Sequence, residues 1–151
     1  MRNENTPTTN VDAIRDLIDQ QIEAVRNKDI EASLASYADD VLSFDVIEPL
    51  RFMGKEAIRK RLKEWFSSFE GAVENEIRDL HIEASDHLAF SSRLNHVNAK
   101  RMDGLKLDMW WRETTCFKKS GDRWMITHVH SSVPFNVETG KASLYLKPEE
   151  S

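Results

Sequence analysis

A chain of 151 residues, 40% of them hydrophobic, is one domain of ordinary size with enough apolar side chain for a packed core. The charge balance, 21 Lys and Arg against 26 Asp and Glu, leaves no basic patch or stripe of the kind a nucleic-acid binder needs. No apolar run approaches the roughly 18 to 20 residues of a membrane span, and the polar opening MRNENTPTTN lacks the apolar core of a secretory signal. A cytoplasmic setting, with no nucleic-acid and no membrane partner, is the expectation.

Residues 1–10 read as a disordered lead-in. Asn10 is a good N-cap, and after it Val11, Ile14, Ile18, Ile22 and Val25 recur at three- and four-residue steps, predicting an amphipathic helix that stops near Asn27-Lys28. Asp29 caps a second, shorter helix over IEASLASYA. Val41 to Ile47 is β-rich and too short for a helix, so it reads as a strand, ended by Pro49. Gly54 precedes a third helix, Lys55 to Phe69, with Ile58, Leu62, Trp65 and Phe69 on one stripe.

After Gly71 the pattern changes to four strand-like segments, VENEIRDLHIEAS, HLAFSSRLNHVNA, LKLDMWWRETTCFKK and RWMITHVHSS. Asp86, Asp103-Gly104 and Gly121-Asp122 stand at the breaks, as hairpins require. Helices followed by a meander predict an α+β fold. Three helices on one face of a curled sheet make a cone-shaped barrel, whose concave side is the natural place for a small-molecule pocket. The domain is expected over 11–136, with a C-terminal extension over 137–151 that covers either the cone mouth or a partner subunit through Phe135, Leu144 and Tyr145.

Several residues could carry chemistry. Asp45 is an acidic residue amid Phe44, Val46 and Ile47, where Asp is a poor strand former. It reads either as a general base whose pKa is raised by burial or as a structural pin bonded to Arg, His or turn backbone. On a regular strand Trp124, Ile126, His128 and His130 share one face. The apolar pair places that face inward, so His128 and His130 read either as pocket residues, a proton partner and a ligand-orienting group, or as buried histidines satisfied by backbone or by Asp45; the pocket is the expectation. The two histidines and Asp45 could reach one metal ion, but no other spacing supports a metal site and none is expected. Arg112 would hold a carbonyl or enolate oxygen if it faces inward, and would pair across strands if it faces outward. Asn95 is either a pocket amide or a cross-strand partner. His96 faces opposite to it, and His81 and His87 read as surface. Trp65 is core and also roofs the pocket, while KEAIRKRLKE reads as a solvated helical face. The single cysteine, Cys116, reads as a buried, inert thiol. No phosphate loop, dinucleotide fingerprint, serine-hydrolase elbow or C-x-x-C occurs, so no cofactor is expected.

The chain resembles the nuclear transport factor 2-like superfamily, and within it the SnoaL-like and ketosteroid isomerase-like proteins. NKDIEASLASYADDVLSFD, FMGKEAIRKRL and DMWWRETTCFKKSGDRWMITHVHSSVPF carry the resemblance, together with the helical opening. It implies the cone-shaped, cystatin-like fold. It also places Asp45, eight residues after Tyr37, at the position of the isomerases' catalytic base. Gln21 stands where those isomerases carry an oxyanion-binding Tyr, and the second Asp position falls at Arg112-Glu113, so steroid isomerisation is not implied. The resemblance places Trp110 and Arg112, rather than Trp111 and Glu113, on the inner face. It further implies a homodimer through the outer sheet face, where Leu105, Leu107 and Met109 are expected.

Together these readings describe a small-molecule pocket protein. The leading function is a cofactor-independent isomerase, cyclase, dehydratase or hydrolase acting by Asp/His proton transfer on an apolar or aromatic carbonyl compound. Asp45, His128 and Arg112 would be catalytic, and His130, Trp65, Asn95 and Trp110 would bind ligand. The rival readings are a non-catalytic ligand-binding domain, with Asp45 locked to Arg112, and a dimeric scaffold whose cone is filled.

Overall fold

The computed structural model describes residues 9–150; most of the expected lead-in, residues 1–8, lies outside the described residues. The order is α1 (Asn10–Arg26), α2 (Ile30–Leu34), β1 (Tyr37–Phe44), β2 (Phe52–Met53), α3 (Lys55–Ser67), β3 (Phe69–Ala84), β4 (Leu88–Arg101), β5 (Lys106–Ser120) and β6 (Arg123–Ser132), with a last 3-10 turn at Pro148–Glu150. Among the described residues no helix is long and apolar enough to cross a membrane.

The N-cap of α1 is Thr9, one residue before the expected Asn10: its side chain accepts the Asp12 N–H at 3.1 Å. The stripe is as expected, with Ile14, Leu17 and Ile18 buried. The helix ends where Lys28 takes a left-handed φ of 54° and Asp29 N–H reaches back to the Ala24 carbonyl. Asp29 then caps α2 through Ala32 N–H. That helix is shorter than the sequence suggests, because YADD already belongs to β1. Gly54 opens α3 at φ 86°, a conformation that a side chain would strain. Its N–H donates to the Val41 carbonyl at 2.7 Å, tying the helix start to β1.

The six strands form one open sheet in the order β2-β1-β6-β5-β4-β3, so it is not closed into a barrel. Only β1 and β6 run parallel. The hairpin breaks fall where the Asp and Gly signals place them, but β3, β4 and β5 are longer than expected, at 16, 14 and 15 residues. Bulges lie between Glu70 and Glu74, between Arg78 and His81, and at Thr127 of β6. Each adds local bend and twist. The helices pack on the concave face, where Ile14, Ile18, Leu34, Val41, Ile58, Phe117, Trp124 and Ile126 form the main core. A second cluster, Phe69, Val73, Val97 and Ala99, lies beside Trp65 and Trp111.

Candidate functional site

Between the helices and the concave sheet face lies a cavity of about 660 Å³. Ile22, Val25, Leu62, Trp65, Leu107 and Met109 give it an apolar wall. That volume is within the range of small-molecule sites.

Asp45 follows the last residue of β1, on the cavity wall. Its Oδ1 accepts the Val46 N–H at 2.6 Å, and its Oδ2 accepts Arg61 Nε at 3.2 Å. The two side chains are 22% and 18% exposed, so the pair is neither sealed nor fully solvated. A carboxylate offers about four lone-pair sites, so Asp45 keeps capacity for a proton. Arg61 comes from the stretch that reads as a solvated face. Its position, three after Ile58 and four before Trp65, is the signal that puts it on the buried flank.

A second polar group occupies the sheet side. Glu113 of β5 pairs with Arg93 of β4 at 2.8 Å, with side chains 13% and 9% exposed. Glu113 also accepts the Asn95 amide N–H, the Trp111 indole N–H at 3.4 Å and the Thr115 hydroxyl at 3.4 Å. Four donors on two oxygens make Glu113 an anchor rather than a free base. Asn95 is thus both a cavity amide and a cross-strand partner.

Tyr37 lines the cavity beside this group, and burial, reinforced by Glu113, pushes its phenol from 10.0 up to about 12. Because the folded-state value is raised, the neutral phenol favours the folded state. The contribution is whole below pH 10.0 and is lost as pH rises towards about 12. Wild type should therefore lose stability over that interval relative to Tyr37→Phe. Melting curves of both proteins against pH, in a Tyr145→Phe background that removes the other tyrosine, check this; superimposable profiles would refute it.

Other expected site residues lie on the opposite side of the sheet. Trp110 and Arg112 face outward. Trp110 stacks on His96 at 4.6 Å, and Arg112 Nε donates to Ser132 Oγ at 3.1 Å. Arg112 therefore does not hold Asp45. The inner face of β5 is the odd-numbered series Leu107, Met109, Trp111, Glu113, Thr115, Phe117, so Leu107 and Met109 are not on the outer face either. The signal was present, because that series is the more apolar of the two.

His128 and His130 also face outward. Trp124 and Ile126 are buried inside as expected, but Cys116 pairs with His128 and Phe117 with Ile126, leaving Thr127 as an extra residue. The bulge inverts the alternation, so Val129 and Ser131 line the cavity instead. His128 Nδ1 lies 2.8 Å from the Leu42 carbonyl, and both imidazoles make T-shaped contacts with the Phe44 ring. Cys116 is half-buried on the same face. Among the described residues no group of three His, Cys, Asp or Glu could hold a metal.

The extension turns back as a hairpin. Phe135 bridges Ala142, and Asn136 N–H donates to the Lys141 carbonyl. Ala142 and Leu144 line the cavity, while Phe135 and Tyr145 remain exposed. Farther on, Glu149 pairs with Arg78 at 2.5 Å.

A curved mixed sheet with helices on its concave face around a cavity defines the nuclear transport factor 2-like, or cystatin-like, class of α+β protein. Residues 14–136 match the SnoaL-like domain family, and the chain belongs to it. The chain is similar to a nuclear transport factor 2-like protein of unknown function from Pseudomonas putida, at 33% identity over 95% of this chain and 100% of that one, with a TM-score of 0.83. It shares its fold with a ketosteroid isomerase-like protein from Erwinia carotovora atroseptica, at 19% identity over 81% and 94% of the two chains and a TM-score of 0.69. A protein with a cystatin-like fold from Caulobacter vibrioides gives 16% identity over 84% and 90%, with a TM-score of 0.70. A comparison with curated proteins finds no match.

Proposed function

We propose that the protein binds an apolar carbonyl compound in its cavity and moves a proton on a carbon next to that carbonyl, with Asp45 as the general base. Enolisation of this kind opens isomerisation, aldol-type cyclisation and β-elimination of water, and it needs no cofactor. The observation that carries the reading is the Asp45 carboxylate, which meets an apolar cavity of about 660 Å³ with lone pairs to spare. The other cavity carboxylate, Glu113, is occupied by four donors. A scaffold with a filled interior does not need such a space. His128 and Arg112 have no part in the reading, since both lie across the sheet.

A ligand-binding protein without turnover would use the same cavity and keep Asp45 paired with Arg61. Screening carbonyl-bearing metabolites by thermal shift finds the ligand class, because ligands of the native state raise its melting temperature. The expected result is a hit that wild type converts, and that Asp45→Asn still binds but converts at least about a hundredfold more slowly. A ligand recovered unchanged from wild type favours the binding protein instead.

The outer sheet face, where Phe90, Leu94 and Trp110 surround polar neighbours, is the proposed surface for pairing with a second copy.

A further inference from the structure

Among the described residues three arginines line the cavity: Arg61, Arg93 and Arg101. Arg93 is committed to Glu113, and its Nε is sealed among buried polar atoms that have no partner. Arg101 pairs with Asp103 at 3.2 Å and is largely exposed. Arg61 differs from both. Its guanidinium lies 5.9 Å from the Trp65 ring centroid, and only Nε is engaged, by Asp45. A guanidinium has five N–H donors. Among the described residues Nη1 and Nη2 donate to no other group, and neither is among the sealed, unpartnered atoms. Reachable donors therefore stand beside the carboxylate proposed as the base.

We infer that Arg61 is the oxygen-binding residue of the cavity, its Nη groups holding the carbonyl oxygen of an enolisable ketone whose acidic carbon lies at Asp45. This rests on the reading of Asp45 as base. In the step, the carbon–hydrogen bond next to the carbonyl breaks and the proton forms an O–H bond on Asp45. The carbon–hydrogen electron pair becomes the new carbon–carbon double bond. The carbonyl π pair moves onto oxygen, giving an enolate, and reprotonation from Asp45 at another carbon completes an isomerisation with no net oxidation.

Charge bookkeeping supports the pairing. Before the step Arg61 balances Asp45; after it, Asp45 is neutral and Arg61 balances the enolate. One ion pair is exchanged for another, so no unpaired charge appears in an apolar cavity, where it would be costly. The same logic disfavours a carboxylate substrate, which would set two anions against one cation. The body of the ketone is apolar, to match Ile22, Val25, Leu62, Trp65 and Met109.

The test uses 4-nitrophenolate, a planar oxyanion that imitates the enolate, and nitrobenzene, which keeps the nitro group but lacks the phenolate oxygen and its charge. Asp45→Asn removes the competing anion and should bind 4-nitrophenolate more tightly than wild type does. Adding Arg61→Met to Asp45→Asn should weaken that binding about 10- to 100-fold, the range of one or two charge-assisted hydrogen bonds. Nitrobenzene binding should stay within about twofold, since the loss is of charge-assisted bonds alone. Bound nitrophenol, followed by its colour, should ionise at lower pH in Asp45→Asn than in the double variant. Arg61→Lys in the same background should restore part of the affinity, and Arg61→Gln replaces the Met variant if that one does not fold. Equal nitrophenolate affinity with and without Arg61, while nitrobenzene still binds, overturns the role of Arg61 and leaves the cavity reading standing. Failure of both probes to bind any variant overturns the cavity reading and this inference with it.

Discussion

Glu113→Leu is expected to destabilise the protein by about 3–5 kcal/mol, because it leaves the buried Arg93 guanidinium without its counter-ion. Arg93 and Glu113 have side chains only 9% and 13% exposed, so water from the cavity replaces the lost carboxylate only in part. The Asn95 amide and the Trp111 indole lose their acceptor in the same change, and an unmet buried donor carries its own penalty of about 1–3 kcal/mol. The pair itself need not be strongly stabilising, since desolvation offsets most of its attraction. That distinction sets the second half of the experiment. The double variant Arg93→Met/Glu113→Leu removes both charges, and it should be more stable than Glu113→Leu alone. Recovery should be incomplete, because Asn95 and Trp111 remain unpaired. Urea denaturation of the four proteins in the cycle gives the coupling. Additive losses would show that Arg93 and Glu113 do not act as a pair.

The inner residues Glu113, Trp111 and Arg93 also mark where the sequence was hardest to read. Period-2 alternation divides β5 into two faces but does not say which is inside. Resemblance pointed to Trp110 and Arg112; the greater apolarity of Leu107, Met109, Trp111 and Phe117 would have pointed the right way. On β6 the failure was different. Trp124 and Ile126 were correctly placed inside, and the same rule carried to His128 and His130 gave the wrong face, because Thr127 is a bulge. A bulge has no composition of its own at that position, so the inversion is not visible in RWMITHVHSS. Arg61 was hidden in a charged run whose overall polarity masked one inward position. By contrast, the stripe of α1, the cap at Asp29 and the hairpin breaks follow from local rules that tertiary packing did not override. Asp45 and Trp65 were also placed on the cavity from the sequence. Local signals thus gave the elements and one wall of the site, while the opposite wall depended on which way two strands turn.

Phe117→Ala is the second large effect expected, about 3–5 kcal/mol of stability lost. Phe117 is 1% exposed on the concave face of β5, in the core with Ile14, Ile18 and Trp124. Truncation leaves a cavity that close-packed neighbours can only partly fill. Phe90 provides the internal control. It lies on the neighbouring strand, paired with Cys116, the residue before Phe117, and projects from the other face at 40% exposure. In a single chain Phe90→Ala should cost well under half of the Phe117→Ala loss, since 40% of the residue stays in water and no sealed cavity is left behind. The two substitutions should also differ in their dependence on protein concentration. The loss from Phe117→Ala is internal to the chain. If two copies pair through the outer face, Phe90→Ala weakens the association, and its effect on melting grows with concentration because the wild-type dimer gains stability by mass action. Melting curves over a hundredfold range of concentration, with sedimentation of both variants, separate the cases. A Phe90→Ala effect that stays small and constant at every concentration would refute pairing through this face. A Phe117→Ala loss below about 1 kcal/mol would mean that the core closes around the missing ring more fully than its packing allows.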